Sequence, residues 1–179
     1  RVALWSARFN VRLGKLADAR KDLTRAIRLA KTQAAPNVDL GRVDLALGDV
    51  DSAFDNAEQA VKKAPNSALA HTLLGDTLVR RGQFARAKET YERALVADDE
   101  LVPARIGYAN SLRDMGAKTA HPADSQELAQ AIPLYLSALK AEPRNPQVLF
   151  EYGRALELQG DLPAALALYR DAAAIDEQD

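Results

Sequence analysis

Few side chains in this sequence are suited to chemistry. It holds two histidines, His71 and His121, and no cysteine. His71 falls on the face of an apolar helical stripe and reads as a packed histidine rather than a base. His121 has only Asp124 beside it, too few donors for a metal that needs three or four ligands. There is no glycine-rich loop that would cradle a phosphate. No serine, histidine and carboxylate fall in an order that would pair a nucleophile with its base. The carboxylates of Asp98 and Asp99 read as solvated groups at a helix end. The sequence therefore predicts no enzyme, and no catalytic residue, metal site or cofactor. The absence of cysteine excludes disulfides and thiolate ligands and leaves the redox compartment open. What remains is arginine, whose planar fork suits carboxylates and the carbonyls of an extended chain. That chemistry is recognition.

The elements that must position these arginines are written in a periodic set of small residues. Glycine recurs at Gly14, Gly48, Gly82, Gly116 and Gly160, spaced 34, 34, 34 and 44 residues apart. Alanine recurs at Ala19, Ala53, Ala87, Ala131 and Ala165, and again at Ala26, Ala60, Ala94, Ala138 and Ala172, spaced 34, 34, 44 and 34. A fixed period near 34 is the mark of a helical solenoid. The two series place ten extra residues between Gly116 and Ala131. The sequence predicts one repeat domain over residues 1–179. Its units are about 1–33, 34–67, 68–101, 102–145 (with an insertion at 117–126) and 146–179.

The third unit shows the pattern most clearly. His71, Leu74, Gly75 and Leu78 share one face of a first helix. Gly75 lets a second helix approach closely, and Gly82 ends the first helix in a backbone conformation that other residues avoid. Ala87, Tyr91 and Ala94 form the inward stripe of the second helix. The small slot of the first helix recurs as Ala7, Gly41, Gly75, Ala109 and Gly153. The bulky slot of the second recurs as Leu23, Ala57, Tyr91, Tyr135 and Tyr169. Pro65 and Pro143 close two units. Asp49 and Asp161 are placed to cap the helices that follow them.

These slots, repeated over five units, resemble the tetratricopeptide repeat family across the whole chain. The departures are Trp5, two residues late for an aromatic slot, and Lys31, Asp99 and Glu177 in place of closing prolines. The resemblance implies an all-α fold, a right-handed superhelical solenoid of antiparallel helix pairs. It also implies a groove, lined by the first helices, that holds a peptide or partner helix. The groove slots fall on Leu4, Arg8, Val11 and Arg12; on Val38, Arg42 and Leu45; and on Leu69, Thr72, Asp76, Val79 and Arg80. In the last two units they fall on Ile106, Asn110, Arg113 and Asp114, then on Gln147, Phe150, Arg154, Glu157 and Leu158. Arg8, Arg12, Arg42, Asp76, Arg80, Asn110, Arg113, Phe150 and Arg154 are the candidate partner-binding residues, and the expected ligand carries acidic and apolar side chains. The competing reading makes the arginines a solvated helix face. The Lys/Asn/Arg set that holds chain-terminal carboxylates in some family members is not filled in any register. The slots of the asparagine ladder hold Trp5, Asp39, Leu73, Gly107 and Glu151 instead.

The balance of charge narrows the partners. With 24 basic and 25 acidic residues, nothing draws the whole chain to nucleic acid or an anionic membrane, and no apolar run is long enough to span a bilayer. The charge is nevertheless uneven: residues 1–33 carry nine basic and two acidic side chains, and residues 146–179 two basic and seven acidic. Head-to-tail self-association is one reading of that asymmetry and accident the other. The insertion is expected to begin irregularly at His121-Pro122. Asp124 or Ser125 would then cap a helix about a turn longer than its counterparts, kinked at Pro133. Removing residues 117–124 is expected to spare the fold. A chain starting at Arg1 and stopping at Asp179 without a polar capping helix reads as a fragment of a longer repeat protein, or as one whose ends neighbouring chains cover. The expected role is a protein–protein interaction scaffold. The alternatives are a recruitment module of a larger enzyme, or a self-associating factor of a pilus, secretion or envelope complex. Both cytoplasmic and bacterial envelope locations stay open, and the alanine- and arginine-rich composition points to a bacterial source.

Overall fold

The computed structural model describes residues 2–176. Glu177 and Asp179 lie outside the described residues. Ten helices follow one another: α1 (Val2–Arg12), α2 (Leu16–Leu29), α3 (Ala35–Ala46), α4 (Val50–Lys63), α5 (Ala68–Arg80), α6 (Phe84–Ala97), α7 (Val102–Gly116), α8 (Gln126–Ala141), α9 (Pro146–Gln159) and α10 (Leu162–Asp176). A short 3-10 turn, Pro122–Asp124, precedes α8. Among the described residues there is no strand. The helices pair antiparallel as α1·α2, α3·α4, α5·α6, α7·α8 and α9·α10. Helices α1–α6 form one compact unit and α7–α10 another, divided between Asp99 and Glu100.

The turns inside the pairs follow from glycine. Gly14, Gly48, Gly82 and Gly160 take φ values of 69°, 80°, 71° and 92°, the left-handed region that ends a helix at little cost only for glycine. Gly116 departs from this series. It belongs to the last turn of α7, and a Cβ there would run into the Ser125 hydroxyl. At the insertion, glycine serves close packing rather than chain reversal. Side chains cap the helices that follow. Asp49 accepts from the Ser52 N–H at 3.1 Å, and Asp161 from that of Ala164 at 3.1 Å, as expected. Ser67, Ser125 and Asn145 do the same for α5, α8 and α9.

Small residues set the distance between paired helices. A Cβ added to Gly75 would lie 2.6 Å from the Tyr91 ring, and one on Gly153 would lie 2.5 Å from that of Tyr169. Gly41 faces Leu73 of the next repeat at 2.6 Å instead, because its own second helix carries only Ala57 in the bulky slot. The alanines of both periodic series are buried.

A polar seam, which the periodicity does not announce, crosses the first unit. Lys63 Nζ donates to Asn37 Oδ1 at 2.6 Å, Asn37 to Asn56 Oδ1 at 3.0 Å, and Asn56 to Asp44 Oδ2 at 3.0 Å. Arg20 of α2 reaches Asp44 at 3.0 Å and Asp49 at 2.6 Å. Asp44 is 1% exposed. Burial raises its pKa, opposed by Arg20 and Asn56. The seam ties α2, α3 and α4 together and fixes their register, since a buried charge without partners is strongly destabilising.

In the second unit, Ser125 rather than Asp124 caps α8. This helix has 16 residues against 14 in α2, α4 and α6, a gain of two residues rather than a full turn, and it continues through Pro133. The 3-10 turn packs against α8 and α9, while residues 117–121 ahead of it are exposed. Gly75→Ala is expected to lower stability by about 1–3 kcal/mol, because the added Cβ would overlap the ring of Tyr91, which is buried and bonded through its hydroxyl to Asp76. Gly82→Ala, with open space around it, incurs only left-handed strain of about 1 kcal/mol. Urea denaturation of the two variants checks the order.

Candidate functional site

The first helices carry the candidate residues, and the second helices determine which side of them is free. In the first unit, α3 and α5 lie side by side. Between α1, α2 and α3 opens a pocket of about 210 Å³. Its walls are apolar, chiefly Val11, Leu16, Leu23 and Val43, and Arg8, Asp39 and Arg42 bring charge to it. Ala7 and Ala46 complete its lining.

The nine candidates divide by what they already hold. Arg8 Nε donates to Asp39 Oδ2 at 3.1 Å, bridging the first helices of two repeats. Arg154 meets Glu151 at 3.2 Å one turn earlier on α9. Arg113 differs most from the expected open slot. It is 3% exposed, and its guanidinium is taken up by Asp114 at 2.7 Å, Asn110 at 3.1 Å and Glu151 of α9. Tertiary packing turns that arginine inward, because a carboxylate of the next repeat waits there. Arg12, Arg42 and Arg80 form no ion pair among the described residues and are exposed. Phe150 is about half-exposed and lies against Tyr169, ring centres 5.4 Å apart.

Asp76 and Asn110 occupy equivalent slots and do the same thing. Each accepts from the bulky-slot tyrosine of its own repeat: Tyr91 to Asp76 at 2.6 Å, Tyr135 to Asn110 at 2.7 Å. In the fifth repeat that slot is Arg154, and Tyr169 turns to Glu157 at 2.8 Å. Burial pushes both Tyr91 and Tyr135 above the ordinary phenol range, so both remain donors. Burial also pushes the Asp76 carboxyl up to about 6, against the opposing pull of the Tyr91 hydroxyl and of Arg42.

Of the other groove slots, Val38, Thr72 and Ile106 are buried in packing. Asp39, Glu151 and the tyrosine hydroxyls were not among the sequence candidates. The signal for the first two was an acidic residue in the ladder slot of the repeat after an arginine. His71, as expected, is buried, and its Nε2 donates to the Pro65 carbonyl at 2.7 Å. Among the described residues no group of three His, Asp or Glu side chains is placed to hold a metal ion, and no helix is long and apolar enough to cross a membrane.

The raised pKa of Asp76 sets a pH dependence. The folded state holds this proton more tightly than the unfolded chain, so the stabilisation is complete below about pH 4 and is lost as pH rises to about 6. Asp76→Asn keeps an acceptor for Tyr91, as Asn110 does for Tyr135, and removes the charge. Urea titrations at several pH values should show a flatter profile across that window. At neutral pH the variant should match or exceed the parent, by up to about 1 kcal/mol.

Comparison with known proteins agrees with this geometry. A family model described as a tetratricopeptide repeat-like domain matches residues 1–106, and one described as a tetratricopeptide repeat matches residues 123–179. No curated protein matches the sequence. Among solved structures, TTC0263, a thermophilic TPR protein of Thermus thermophilus, superposes with a TM-score of 0.83 at 20% identity, over 99% of this chain and 91% of its own. MamA from Desulfovibrio magneticus gives 0.72 at 17%, over 99% and 95%. YrrB, described as a TPR protein with an unusual peptide-binding site, gives 0.64 at 18%, over 94% and 82%. At such identities the likeness is one of fold, and the tetratricopeptide solenoid is the fold of this molecule. With the repeat-like model matching more than half its length, the chain belongs to the tetratricopeptide repeat family.

Proposed function

We propose that this protein binds an extended peptide segment carrying apolar and acidic side chains, with the main anchor on α1, α3 and α5. Repeats of this family generally mediate protein–protein interaction, and the similar structure YrrB is described as having a peptide-binding site. The observation that carries the finer reading is the apolar pocket beside Arg42, with Arg12 and Arg80 also unpaired. An apolar side chain of the ligand fills the pocket, and carboxylates beside it take Arg12, Arg42 or Arg80. Asp76, at neutral pH a carboxylate with one oxygen held by Tyr91, accepts from a backbone N–H of the ligand. Arg8 plays a lesser part, since Asp39 already uses its fork. In the second unit, taken by itself, the residues of the same kind are Asn110, Phe150 and Arg154, while Arg113 keeps Asn110, Asp114 and Glu151 in place.

Fluorescence anisotropy with labelled peptides in which Asp or Glu alternates with Leu or Phe tests this. Arg42→Gln removes a charge-assisted contact of about 1.5–3 kcal/mol, which is roughly ten- to a hundredfold in Kd. Arg8→Gln should change Kd by less. Added salt should weaken binding of the parent more than that of the variant. Equal affinity for acidic and basic versions of the peptide, or an unchanged Kd in the combined Arg12→Gln, Arg42→Gln, Arg80→Gln protein, would sink the proposal.

A further inference from the structure

In the first unit, each second helix has a face turned away from its buried alanines. On α4 that face carries Asp55, Glu58, Gln59 and Lys62, and all four are exposed although a whole repeat precedes the helix. At a spacing of 34 residues, α6 carries Glu89, Glu92, Arg93 and Val96 in the same slots, exposed but for a partly buried Glu92. The equivalent residues of α2 are Lys21, Thr24, Arg25 and Arg28, all exposed. Exposure of these slots therefore follows from the repeat and not from the position of α2 in the chain. Their charge is particular to α2. The slots hold two acidic residues and one basic on α4 and on α6, but three basic and no acidic on α2.

These three cations are poorly matched within the molecule. Lys21 and Arg25 stand four residues apart on one helix face, a spacing at which like charges destabilise a helix. Arg28 adds a third charge one turn beyond Arg25. Lys21 has only Asp18, at 3.5 Å, and both are exposed. Arg25 and Arg28 form no ion pair among the described residues. All three cations line an open hollow of about 970 Å³ between α2 and the turn that leads into α4. Arg20 lies in the same hollow, but its guanidinium is held by Asp44 and Asp49. The hollow shares no lining residue with the pocket beside Arg42.

The groups in the wall select the chemistry that fits. Lys21, Arg25 and Arg28 offer donors only. Asp49 is the carboxylate in the lining, and Arg20 and the Ser52 N–H take it up. The Thr24 hydroxyl already donates to the Arg20 carbonyl at 2.8 Å. A peptide or a partner helix brings donors as well as acceptors, and its donors would go unmet here. Among the described residues no aromatic side chain lines the hollow to stack a nucleobase. Three cations spread over about 10 Å of helix suit several clustered negative charges better than one. We propose that this hollow binds a compact polyphosphate, whose oxygens accept and do not donate and are gripped by the guanidinium forks of Arg25 and Arg28. The ligand is a cluster of phosphates, free in solution or on a lipid headgroup, and it neutralises the repulsion along α2. The site is independent of peptide binding at Arg42.

Isothermal titration calorimetry of the chain with inorganic tripolyphosphate at low salt tests this. The anion should bind, more weakly as salt is added, and should raise the melting temperature as its concentration rises. Arg25→Gln combined with Arg28→Gln should weaken binding by roughly tenfold or more. Both positions are exposed and unpaired, so the ligand-free variant should keep its helicity in far-UV circular dichroism and melt no lower than the parent. Arg93→Gln, in the slot of α6 equivalent to Arg25, should leave tripolyphosphate binding unchanged. Citrate, a carboxylate of similar charge, should bind roughly tenfold more weakly or less. Vesicles containing a bisphosphorylated inositol lipid separate the two sources. Binding to them as well as to the free anion assigns the site to a headgroup, and binding of the free anion alone to a soluble ligand. Several results would overturn the proposal. One is the absence of both heat and a melting shift at low salt. Another is equal affinity in the doubly substituted protein. Citrate binding as tightly as tripolyphosphate would assign the face to an acidic protein surface instead. Tighter binding of duplex DNA than of tripolyphosphate would assign it to a nucleic-acid backbone.

Discussion

The close approach of paired helices at the small slot governs this structure. Glycine at positions 75 and 153 leaves the volume that a tyrosine ring fills, and the ring's hydroxyl then ends beside a polar residue of the first helix. Helix spacing and the placement of a hydrogen bond on the candidate face therefore come from a single contact. Where the second helix carries Ala57 instead of an aromatic, the contact changes owner, and Leu73 of the next repeat occupies the space beside Gly41. The repeat thus tolerates different side chains as long as the summed volume fills the gap at native density.

That approach also determines how polar groups are distributed between packing and recognition. Bringing helices of neighbouring repeats together puts arginines of one beside carboxylates of the next. Arg20 with Asp44 and Asp49, and Arg113 with Glu151, are absorbed in this way and hold register. Arg8 is half-committed to Asp39. The cations left over, with the apolar pocket beside Arg42, are the groups on which the proposed peptide site rests. A count of arginines overstates that surface, because an arginine already held by a carboxylate has fewer free donors and less uncompensated charge to offer a ligand.

Much of the architecture was legible because it is local and periodic. The left-handed glycines, the capping of α4 and α10 by Asp49 and Asp161, and the small and bulky slots all follow from spacing within one repeat. Gly116 resisted that reading, since its environment depends on where Ser125 lands after a ten-residue insertion. The length of α8 did too, because a serine and an aspartate both stood ready to cap it. At the site, the residue types were legible and their commitments were not. Asp39 and Glu151 stood in plain sight at the ladder slot, but their pairing spans 31 and 38 residues of chain.

By itself, the sequence determined the class of the fold, the phase of the repeats and the place of the insertion. These rest on backbone preferences and on volumes that recur every 34 residues, and a one-dimensional pattern records both. Only the tertiary structure decided which charges remain free and which tyrosine holds Asp76 or Asn110. Those are matters of proximity between helices far apart in sequence, and the strength of an ion pair or an apolar contact depends on that distance and on the water excluded around it.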